Sequence, residues 1–241
     1  MRNRKRIIAF LITLLTLIFA AACIGTKNSN NTNTASEGNP GSTGESKESD
    51  LMNDWEVYST KFDTIDDWLL LSGISVEGRQ YDPELTEDGL KINLSNNFGW
   101  FRAHQQFLTD DSQIDIEVTQ NKGSTPSLEL YCRSNEPGEY RFFIYYGGFW
   151  DIGSFDYYTS EYISLAAGMA DSVNPDGEKN IFSASCVGDL LTLSINGKIV
   201  GEVQDSTYSS GIVGFGVQNV DSVNTILVIE SFQVLSTNLD K

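Results

Sequence analysis

The chain has 241 residues, and 33 acidic against 16 basic side chains give it a net charge of −17. A protein that binds nucleic acid needs a basic face to neutralise phosphates, so this balance argues against nucleic acid as a partner. The sequence contains one histidine, which excludes a metal centre built from several histidines.

The N-terminus has the pattern of a secretion signal. Four basic residues lie within positions 2–6, and an apolar run of 16 residues follows from Ile7 to Ala22, whereas a membrane-spanning helix needs about 20. The run FAAAC ends at Cys23 and resembles the signal of bacterial lipoproteins, although Ala20 stands where that signal prefers leucine. We expect residues 1–22 to be removed and Cys23 to be lipidated. The protein is then held outside the cytoplasm, at the bacterial cell membrane, by this anchor alone; an uncleaved anchor is the alternative and gives the same location.

Residues 23–54 form a polar segment rich in Asn, Ser, Thr, Gly and Glu, with hardly an apolar residue before Leu51. Such a composition cannot bury enough surface to offset the entropy lost on ordering, so it predicts a flexible tether with a reach of about 30 Å. Residues 55–241 have the length of one domain.

Residues 55–241 show repeated alternation of apolar and polar side chains, the period of a strand with one buried face. The clearest segments are 90–94, 114–118 and 128–132, and further runs cover 140–146, 181–187, 190–195, 212–217 and 225–235. Asn196-Gly197 between two of these runs predicts a hairpin, whereas 160–170 shows a weak helical period. The pattern predicts an all-β fold, an antiparallel jelly-roll sandwich of about a dozen strands.

Five short motifs follow one another along this domain: YCR at 131–133, EYRF at 139–142, SCVG at 185–188, LSING at 193–197 and SGIVGF at 210–215. Their order resembles bacterial extracellular domains of the concanavalin A-like lectin and glucanase superfamily, closest to its laminin-G-like and keto-disaccharide-hydrolase-like modules. The resemblance spans about residues 56–235 and implies a jelly roll. Lectins, glycosidases and adhesive modules all occur in this superfamily, so the fold alone does not select an activity.

Cys132 and Cys186 each fall on the apolar side of a predicted strand. With Cys23 lipidated, they are the two thiols left in an oxidising compartment, so we expect a disulfide bond between them. Two buried free thiols are the alternative.

Aromatic residues are concentrated between positions 140 and 162, where 11 of 23 residues are Phe, Tyr or Trp. A carbohydrate site mixes aromatic planes, which pack on the C–H faces of sugar rings, with polar groups that bond the hydroxyls. Alternation places 140, 142, 144 and 146 in the core and the intervening residues outward. The predicted ligand-binding residues lie on this outward side or at its rim: Tyr131, Arg133, Arg141, Phe143, Tyr145, Trp150, Asp151, Tyr157 and Tyr158.

The alternative for any one of these aromatic residues is a core position, because Tyr, Phe and Trp favour strands whatever their function. Trp100 and Arg102 are candidates for a second rim element of the same site.

The enzyme alternative has one point of contact with the sequence, the segment QIDIE from Gln113 through Asp115 to Glu117, for which an ordinary solvated strand face is the other interpretation. Laminarinase-type glucanases of the superfamily carry Glu-x-Asp-x-Glu on one strand, which places three carboxylates on one face. Gln113 stands at the first position, and an amide can neither attack nor donate a proton as a retaining glycosidase requires. Glu129 and Asp151 are other carboxylates that a hydrolase could use.

Two acidic turns, 109–111 and 171–178, offer oxygen ligands of the kind that calcium takes, but neither matches a defined calcium loop. Jelly rolls of this superfamily often hold a structural calcium ion, so the resemblance leaves that cofactor open. His104 has no catalytic signature around it.

These patterns favour a lipid-anchored, extracytoplasmic domain that binds a glycan without cleaving it. A glycoside hydrolase of the same fold is the first alternative. A protein-binding or architectural surface module is the second.

Overall fold

The computed structural model describes residues 55–73, 83–94, 100–106, 108–122, 126–175, 177–219 and 225–239, all within the compact unit Ser46–Lys241. These ranges contain fifteen β-strands and no helix, and the strands form two antiparallel sheets. The all-β sandwich predicted from the alternation is confirmed, with a few more strands than the expected dozen.

One sheet has eight strands. They are β1 (Glu56–Thr60), β3 (Glu84–Thr86), β4 (Gly89–Leu94), β6 (Ser112–Lys122), β11 (Lys179–Val187), β12 (Leu190–Ile195), β13 (Lys198–Gln204) and β15 (Thr225–Ser236). Their order is β13-β12-β11-β6-β15-β4-β3, and β1 pairs with the far end of β15, from Phe232 to Ser236.

The other sheet has seven strands. They are β2 (Trp68–Gly73), β5 (Trp100–Gln105), β7 (Pro126–Ser134), β8 (Gly138–Tyr145), β9 (Phe149–Asp156), β10 (Glu161–Met169) and β14 (Ile212–Asn219). Their order is β10-β9-β8-β7-β14-β5-β2, which places β7 and β14 near the middle of the sheet.

The core lies between the two sheets and is built from the apolar side of each alternating strand. Side chains at positions 90, 92, 94, 114, 116, 118, 128, 130 and 132 are all at most 1% exposed. Trp68 packs edge-to-face against Phe215 and Phe232, with ring centroids 5.6 and 5.0 Å apart. Full burial of one such apolar side chain contributes roughly 1.5–3 kcal/mol, so this layer supplies most of the stabilisation that joins the sheets.

The predicted hairpin is present between β12 and β13. Asn196 and Gly197 both have positive φ, 52° and 78°, as a two-residue turn of this kind requires. The segment with the weak helical period at 160–170 is a strand: it forms β10 and pairs with β9 from Glu161 to Met169. A register shift between Ser164 and Ala166 interrupts the ladder, which explains why its alternation is irregular in the sequence.

A disulfide bond joins Cys132 of β7 to Cys186 of β11, with Cα atoms 6.7 Å apart. The predicted pairing is confirmed, and the bond links the two sheets through the core. Closing a loop of this length contributes on the order of 4 kcal/mol in the chain-entropy account.

Cys23, the predicted signal peptide and the predicted tether lie outside the described residues. In the part of the chain that the structure describes, no helix has the length and apolar character needed to cross a bilayer.

Candidate functional site

The outer face of the seven-stranded sheet, the side that points away from the core, carries a dense group of charged and aromatic side chains. Antiparallel pairing aligns two rows of residues across β5, β14, β7 and β8. These rows are Arg102, Gly216, Glu129 and Phe143, and then His104, Gly214, Tyr131 and Arg141. As alternation predicts, the outer face of β8 carries Arg141, Phe143 and Tyr145, and the buried residues of β8 lie on its other face.

Two glycines of β14 make room for side chains from the neighbouring strand β7. A Cβ atom on Gly214 would lie 2.3 Å from the Tyr131 hydroxyl, and a Cβ atom on Gly216 would lie 2.9 Å from Glu129 Oε2. Tyr131 crosses the bare backbone at Gly214, and its hydroxyl donates to the carbonyl oxygen of Ala103 at 2.6 Å. The glycines therefore let side chains from β5 and β7 meet above β14.

Four of these side chains form an ion-pair network: Arg102, Glu129, Glu139 and Arg141. Arg102 Nη2 lies 2.8 Å from Glu139 Oε1 and 3.4 Å from Glu129 Oε1. Arg141 Nε lies 2.5 Å from Glu139 Oε1 and 3.1 Å from Glu129 Oε1. Because both carboxylate oxygens contact the same cations, they lie within about 6 Å of each other.

The members of the ion-pair network differ in their access to solvent. The Glu139 side chain is 0% exposed, whereas Glu129 is 13% exposed and each arginine is 16% exposed. Tyr157 covers the inner carboxylate by donating its hydroxyl to Glu139 Oε2 at 2.5 Å. Glu139 is thus an internal counter-ion, while the other three members are partly exposed to solvent.

The two glutamates also differ in acidity. Burial raises the pKa of Glu129 above its ordinary value, although the two arginines oppose the shift. Burial disfavours the charged form of Glu139 too, but Arg102, Arg141 and the hydrogen bond from Tyr157 together lower the pKa of Glu139 below its ordinary value. The inner carboxylate is therefore the firmly ionised one.

Aromatic rings fix the planes of both arginines. The Arg102 guanidinium lies 4.1 Å from the Tyr131 ring centroid, and the Arg141 guanidinium lies 3.7 Å from that of Phe155. Contacts of this kind contribute roughly 0.5–2 kcal/mol each. The contacts of Arg141 with Glu129 and Glu139 both use Nε, and no hydrogen bond joins either of its Nη groups to another residue in the described ranges.

Aromatic side chains border the ion-pair network on the side of β9 and β10. Phe143 packs edge-on against Tyr162 at 5.4 Å, and Tyr145 packs against Phe149 at 5.6 Å. Tyr162 and Phe149 are 36% and 42% exposed, and the Tyr162 hydroxyl donates to Asp151. This rim offers apolar planes beside a carboxylate acceptor, in the position predicted for Phe143, Tyr145 and Asp151.

On the other side of the ion-pair network, Trp100 begins β5 opposite Gln218 and is 36% exposed. It lies on the outer face at the place expected for a second rim element. Arg102, its predicted companion, belongs to the network itself rather than to the rim.

Three predicted ligand-binding residues are buried and need correction. Tyr131 is on the outer face but is 0% exposed beneath Arg102, so it positions that arginine instead of touching a ligand. Arg133 is 2% exposed and donates to the backbone carbonyls of residues 110, 188 and 208 and to Asp111, which makes it a structural link between loops. Trp150 is 7% exposed and points into the sandwich.

The position of Trp150 follows from strand geometry. Successive side chains of a strand point to opposite faces, so Trp150 and Asp151 of β9 could not both line one surface. Asp151 lies on the outer face, and the Trp150 ring packs over Gly168 and Gly201. A Cβ atom added to Gly168 would lie 2.6 Å from this ring, and one added to Gly201 would lie 2.5 Å from it. These glycines on β10 and β13 admit the large ring between the edges of the two sheets.

Tyr157 and Tyr158 lie in the turn after β9. Tyr157 is 37% exposed and reaches Glu139 with its hydroxyl, which agrees with a place at the rim. Tyr158 is 71% exposed and its side chain extends into solvent.

Three residues of this site were not predicted from the sequence: Glu139, Phe155 and Tyr162. Glu139 alternates with Arg141 on β8, so its outward position could have been inferred from the period of the strand. Its partnership with Arg102 depends on the packing of β5, β14, β7 and β8 beside one another, which has no local signal in the sequence.

The segment from Gln113 to Glu117 lies on β6 of the eight-stranded sheet, away from the ion-pair network. Its polar residues share one face, as predicted. Gln113 Nε2 donates to Asp115 Oδ1 at 3.0 Å, and Lys179 Nζ lies 3.2 Å from Glu117 Oε2. These contacts are those of a solvated strand face.

His104 is buried against the Tyr131 ring, with centroids 4.9 Å apart. Burial, reinforced by the charge of Arg102, lowers the pKa of His104 to about 4, so its imidazole is neutral at physiological pH. Among the residues that the structure describes, no group of three or more His, Cys, Asp and Glu side chains is arranged to hold a metal ion. A structural calcium ion stays a prediction from the resemblance.

Comparison with known proteins identifies structural relatives only. No family model matches the chain, and the search of curated proteins found no match. A carbohydrate-binding module from Bacillus subtilis is similar with a TM-score of 0.52 and 14% identity, over 68% of this chain and 94% of that one. A protein of unknown function with a galectin-like fold, also from Bacillus subtilis, has a TM-score of 0.58 and 10% identity, over 78% and 100%.

The catalytic domain of an endo-1,3-beta-glucanase (laminarinase) from Thermotoga petrophila is similar with a TM-score of 0.57 and 15% identity, over 78% of this chain and 99% of that one. Likeness at this level of identity establishes a shared fold. The domain therefore has the concanavalin A-like jelly-roll fold that the sequence motifs implied, the same fold as these carbohydrate-binding and glucanase domains.

Proposed function

We propose that this protein binds a carbohydrate on the outer face of its seven-stranded sheet, does not cleave it, and is anchored outside the cytoplasm through lipidated Cys23. The observation that carries the proposal is the ion-pair network lying between two partly exposed aromatic borders. One border contains Phe149 and Tyr162, and the other contains Trp100.

The chemistry of this surface suits a sugar. Arginine Nη groups donate to hydroxyl oxygens, Glu129 and Asp151 accept from hydroxyl hydrogens, and aromatic planes pack against C–H faces. The ion pairs and stacked rings hold these groups before a ligand arrives, so little side-chain entropy is lost on binding. The carbohydrate-binding module and the glucanase that share the fold support the same class of ligand.

A glycoside hydrolase is the second candidate, and one observation favours it. The Oε1 atoms of Glu129 and Glu139 lie within about 6 Å of each other, a range that includes the separation of about 5 Å found in retaining enzymes. The pKa of Glu129 is raised and that of Glu139 is lowered, as for an acid and a nucleophile. Against it, Glu139 is 0% exposed and contacts two arginines and Tyr157. A nucleophile must reach the anomeric carbon, and this carboxylate has no free path to a substrate.

A glycan array probed with the full-length chain in a detergent without a sugar headgroup tests the proposal. We expect saturable binding to at least one glycan, with no released product detected by mass spectrometry. Tyr145→Ala and Tyr162→Ala should each weaken binding to that glycan about tenfold, a loss of about 1.4 kcal/mol.

Asp115→Ala is the matched control, since Asp115 lies on the other sheet and should leave the affinity unchanged. Release of a shortened product would establish the hydrolase in place of the binding module. Absence of binding to every glycan, with the folded state confirmed by circular dichroism, would favour a protein-binding or architectural module.

A further inference from the structure

Arg141 has unused hydrogen-bonding capacity on the outer face. A guanidinium carries its N–H donors in one plane, and the donors of Nε and of the two Nη groups point in different directions. Nε is directed at Glu129 and Glu139, and within the described ranges neither Nη group has a hydrogen-bond or ion-pair partner. Both carboxylates of the network therefore lie on the Nε side, and the edge formed by the two Nη groups faces another direction.

Aromatic rings lie beside this guanidinium. It sits over the Phe155 ring, 3.7 Å from the ring centroid. Gly153 pairs with Arg141 across the sheet, and a Cβ atom on Gly153 would lie 2.5 Å from the hydroxyl end of Tyr162, so the Tyr162 ring covers the bare backbone next to the arginine. The Arg141 side chain is 16% exposed in this setting. A charge-assisted hydrogen bond is stronger beside such rings than in open water.

The carboxylate of the adjoining aromatic border, Asp151, is already engaged by hydroxyl groups. One of its oxygens accepts from Tyr162, and Oδ2 accepts from Ser164 Oγ at 2.7 Å. Among the described residues, Asp151 forms no ion pair with Arg141. The Nη edge can therefore take an acceptor from a ligand, and a carboxylate is the acceptor whose two oxygens match two Nη groups.

The charge of the surroundings limits which anion can bind. Two arginines and two glutamates leave the ion-pair network without net charge, whereas the chain carries −17. A polyanion would be repelled along its whole length. A single carboxylate between uncharged sugars interacts chiefly with groups within a Debye length, about 8 Å at physiological ionic strength.

We propose that the outer face selects a glycan with isolated carboxylate groups. The carboxylate of a uronic acid residue accepts from both Nη groups of Arg141, while the C–H face of the same sugar packs against Tyr162. This inference rests on the proposed carbohydrate-binding function and names the class of sugar for that same site.

Matched methyl glycosides test the preference for a carboxylate. Glucose, galactose and mannose derivatives are each compared with the uronate, in which a carboxylate replaces the C6 hydroxymethyl group, and with the methyl ester of that uronate, which removes the charge. Ligand-observed NMR titration of the full-length chain, in a detergent without a sugar headgroup, gives each dissociation constant. We expect at least one uronate to bind about tenfold more tightly than its parent and its ester.

Two variants separate contact with Arg141 from a general effect of charge. Arg141→Lys keeps the positive charge beside the glutamates but lacks the pair of Nη groups, so the ratio of uronate to parent affinity should fall to about one. Lys91→Gln removes a positive charge from β4 of the other sheet and should leave that ratio unchanged. Circular dichroism checks that both variants are folded.

Parent glycosides that bind as tightly as every uronate would overturn this assignment and leave the carbohydrate-binding proposal intact. The assignment also fails if no uronate binds, if Arg141→Lys keeps the ratio, or if Lys91→Gln lowers it equally. Absence of binding on the glycan array as well would contradict the carbohydrate-binding proposal itself. Should Arg141→Lys not fold, the comparison of uronate with ester on the native chain decides.

Discussion

Glu139 is the residue on which the outer face depends most directly. Its buried carboxylate contacts Arg102 and Arg141 at 2.8 and 2.5 Å, so it neutralises two cations at once. Glu129 contacts the same arginines at longer distances and from a more exposed position. The two glutamates therefore have different roles, one as a structural counter-ion and the other as a surface group.

Glu139→Gln should destabilise the domain by about 3 kcal/mol, because it leaves two partly buried guanidinium groups with Glu129 as the one remaining carboxylate of the network. Urea unfolding at neutral pH, followed by circular dichroism, measures this loss. Glu129→Gln is the matched control and should cost less than about 1 kcal/mol, since burial already opposes the charge of Glu129. Equal losses for the two variants would contradict the assigned roles.

The stability difference between the native chain and Glu139→Gln should depend on pH. The pKa of Glu139 is lowered in the folded state from its ordinary value of 4.5, so its ionised form stabilises the fold above that value. This contribution is lost as the pH falls from about 4.5 through the folded-state pKa, where the protonated carboxyl resembles the amide. Unfolding series from about pH 7 to pH 3 should therefore show the two stabilities converging, and a constant gap would argue against the ion-pair account.

Part of this site follows from local sequence rules. The period of β8 places Arg141, Phe143 and Tyr145 on one face, and the structure agrees. The same rule, applied to β9, would have excluded Trp150 once Asp151 was chosen. Burial of a residue by a side chain from another strand cannot be predicted in this way. Nothing in the sequence around Tyr131 shows that Arg102 lies above its ring.

At the scale of elements, β14 determines whether the outer face can form. Its glycines at 214 and 216 sit between β5 and β7 and remove the side chains that would keep those strands' residues apart. The two positions are not equivalent, however. The neighbour closest to Gly214 is a backbone carbonyl, whereas the neighbour closest to Gly216 is the end of a flexible side chain.

Gly214→Ala should therefore destabilise the domain more than Gly216→Ala. A Cβ atom at 214 would lie 2.1 Å from the Ala103 carbonyl oxygen, which cannot move without breaking the β5–β14 pairing, so we expect a loss of about 3 kcal/mol. At 216 the nearest atom is Glu129 Oε2 at 2.9 Å, and the carboxylate can shift at a cost near 1 kcal/mol. Thermal unfolding of both variants checks the order, and a larger loss at 216 would reject this view of β14.

The alternation of apolar and polar residues predicts where strands occur but not which sheet each strand joins. It located β4, β6, β7, β8 and β11, because each has one face in the core and period two is sufficient to detect them. It did not reveal that the QIDIE strand belongs to the eight-stranded sheet and the YCR strand to the seven-stranded one. Sheet membership is decided by long-range pairing, and a local period carries no information about the partner.

At the scale of the whole molecule, the proposed binding site and the proposed anchor fall on different parts of the chain. Every residue of the proposed carbohydrate site lies between 55 and 241, and the Cys132–Cys186 bond joins the two sheets within that domain. In the sequence, Cys23 is separated from this domain by a polar segment of about thirty residues. Loss of the anchor should therefore change where the protein is found without changing what it binds.

Cys23→Ser tests this separation. If Cys23 is the lipidated residue of a bacterial lipoprotein, the Cys23→Ser variant cannot be lipidated. It should then move from the detergent phase to the aqueous phase in a detergent phase-separation assay, because each buried acyl CH₂ contributes about 0.8 kcal/mol to membrane binding. Its glycan affinity should equal that of the native chain. Cys132→Ala is the control, because it removes the disulfide bond and should lower stability while leaving the protein in the detergent phase. A Cys23→Ser chain that stays in the detergent phase would establish the uncleaved apolar segment as the anchor, and a loss of glycan affinity would show that anchor and domain are coupled.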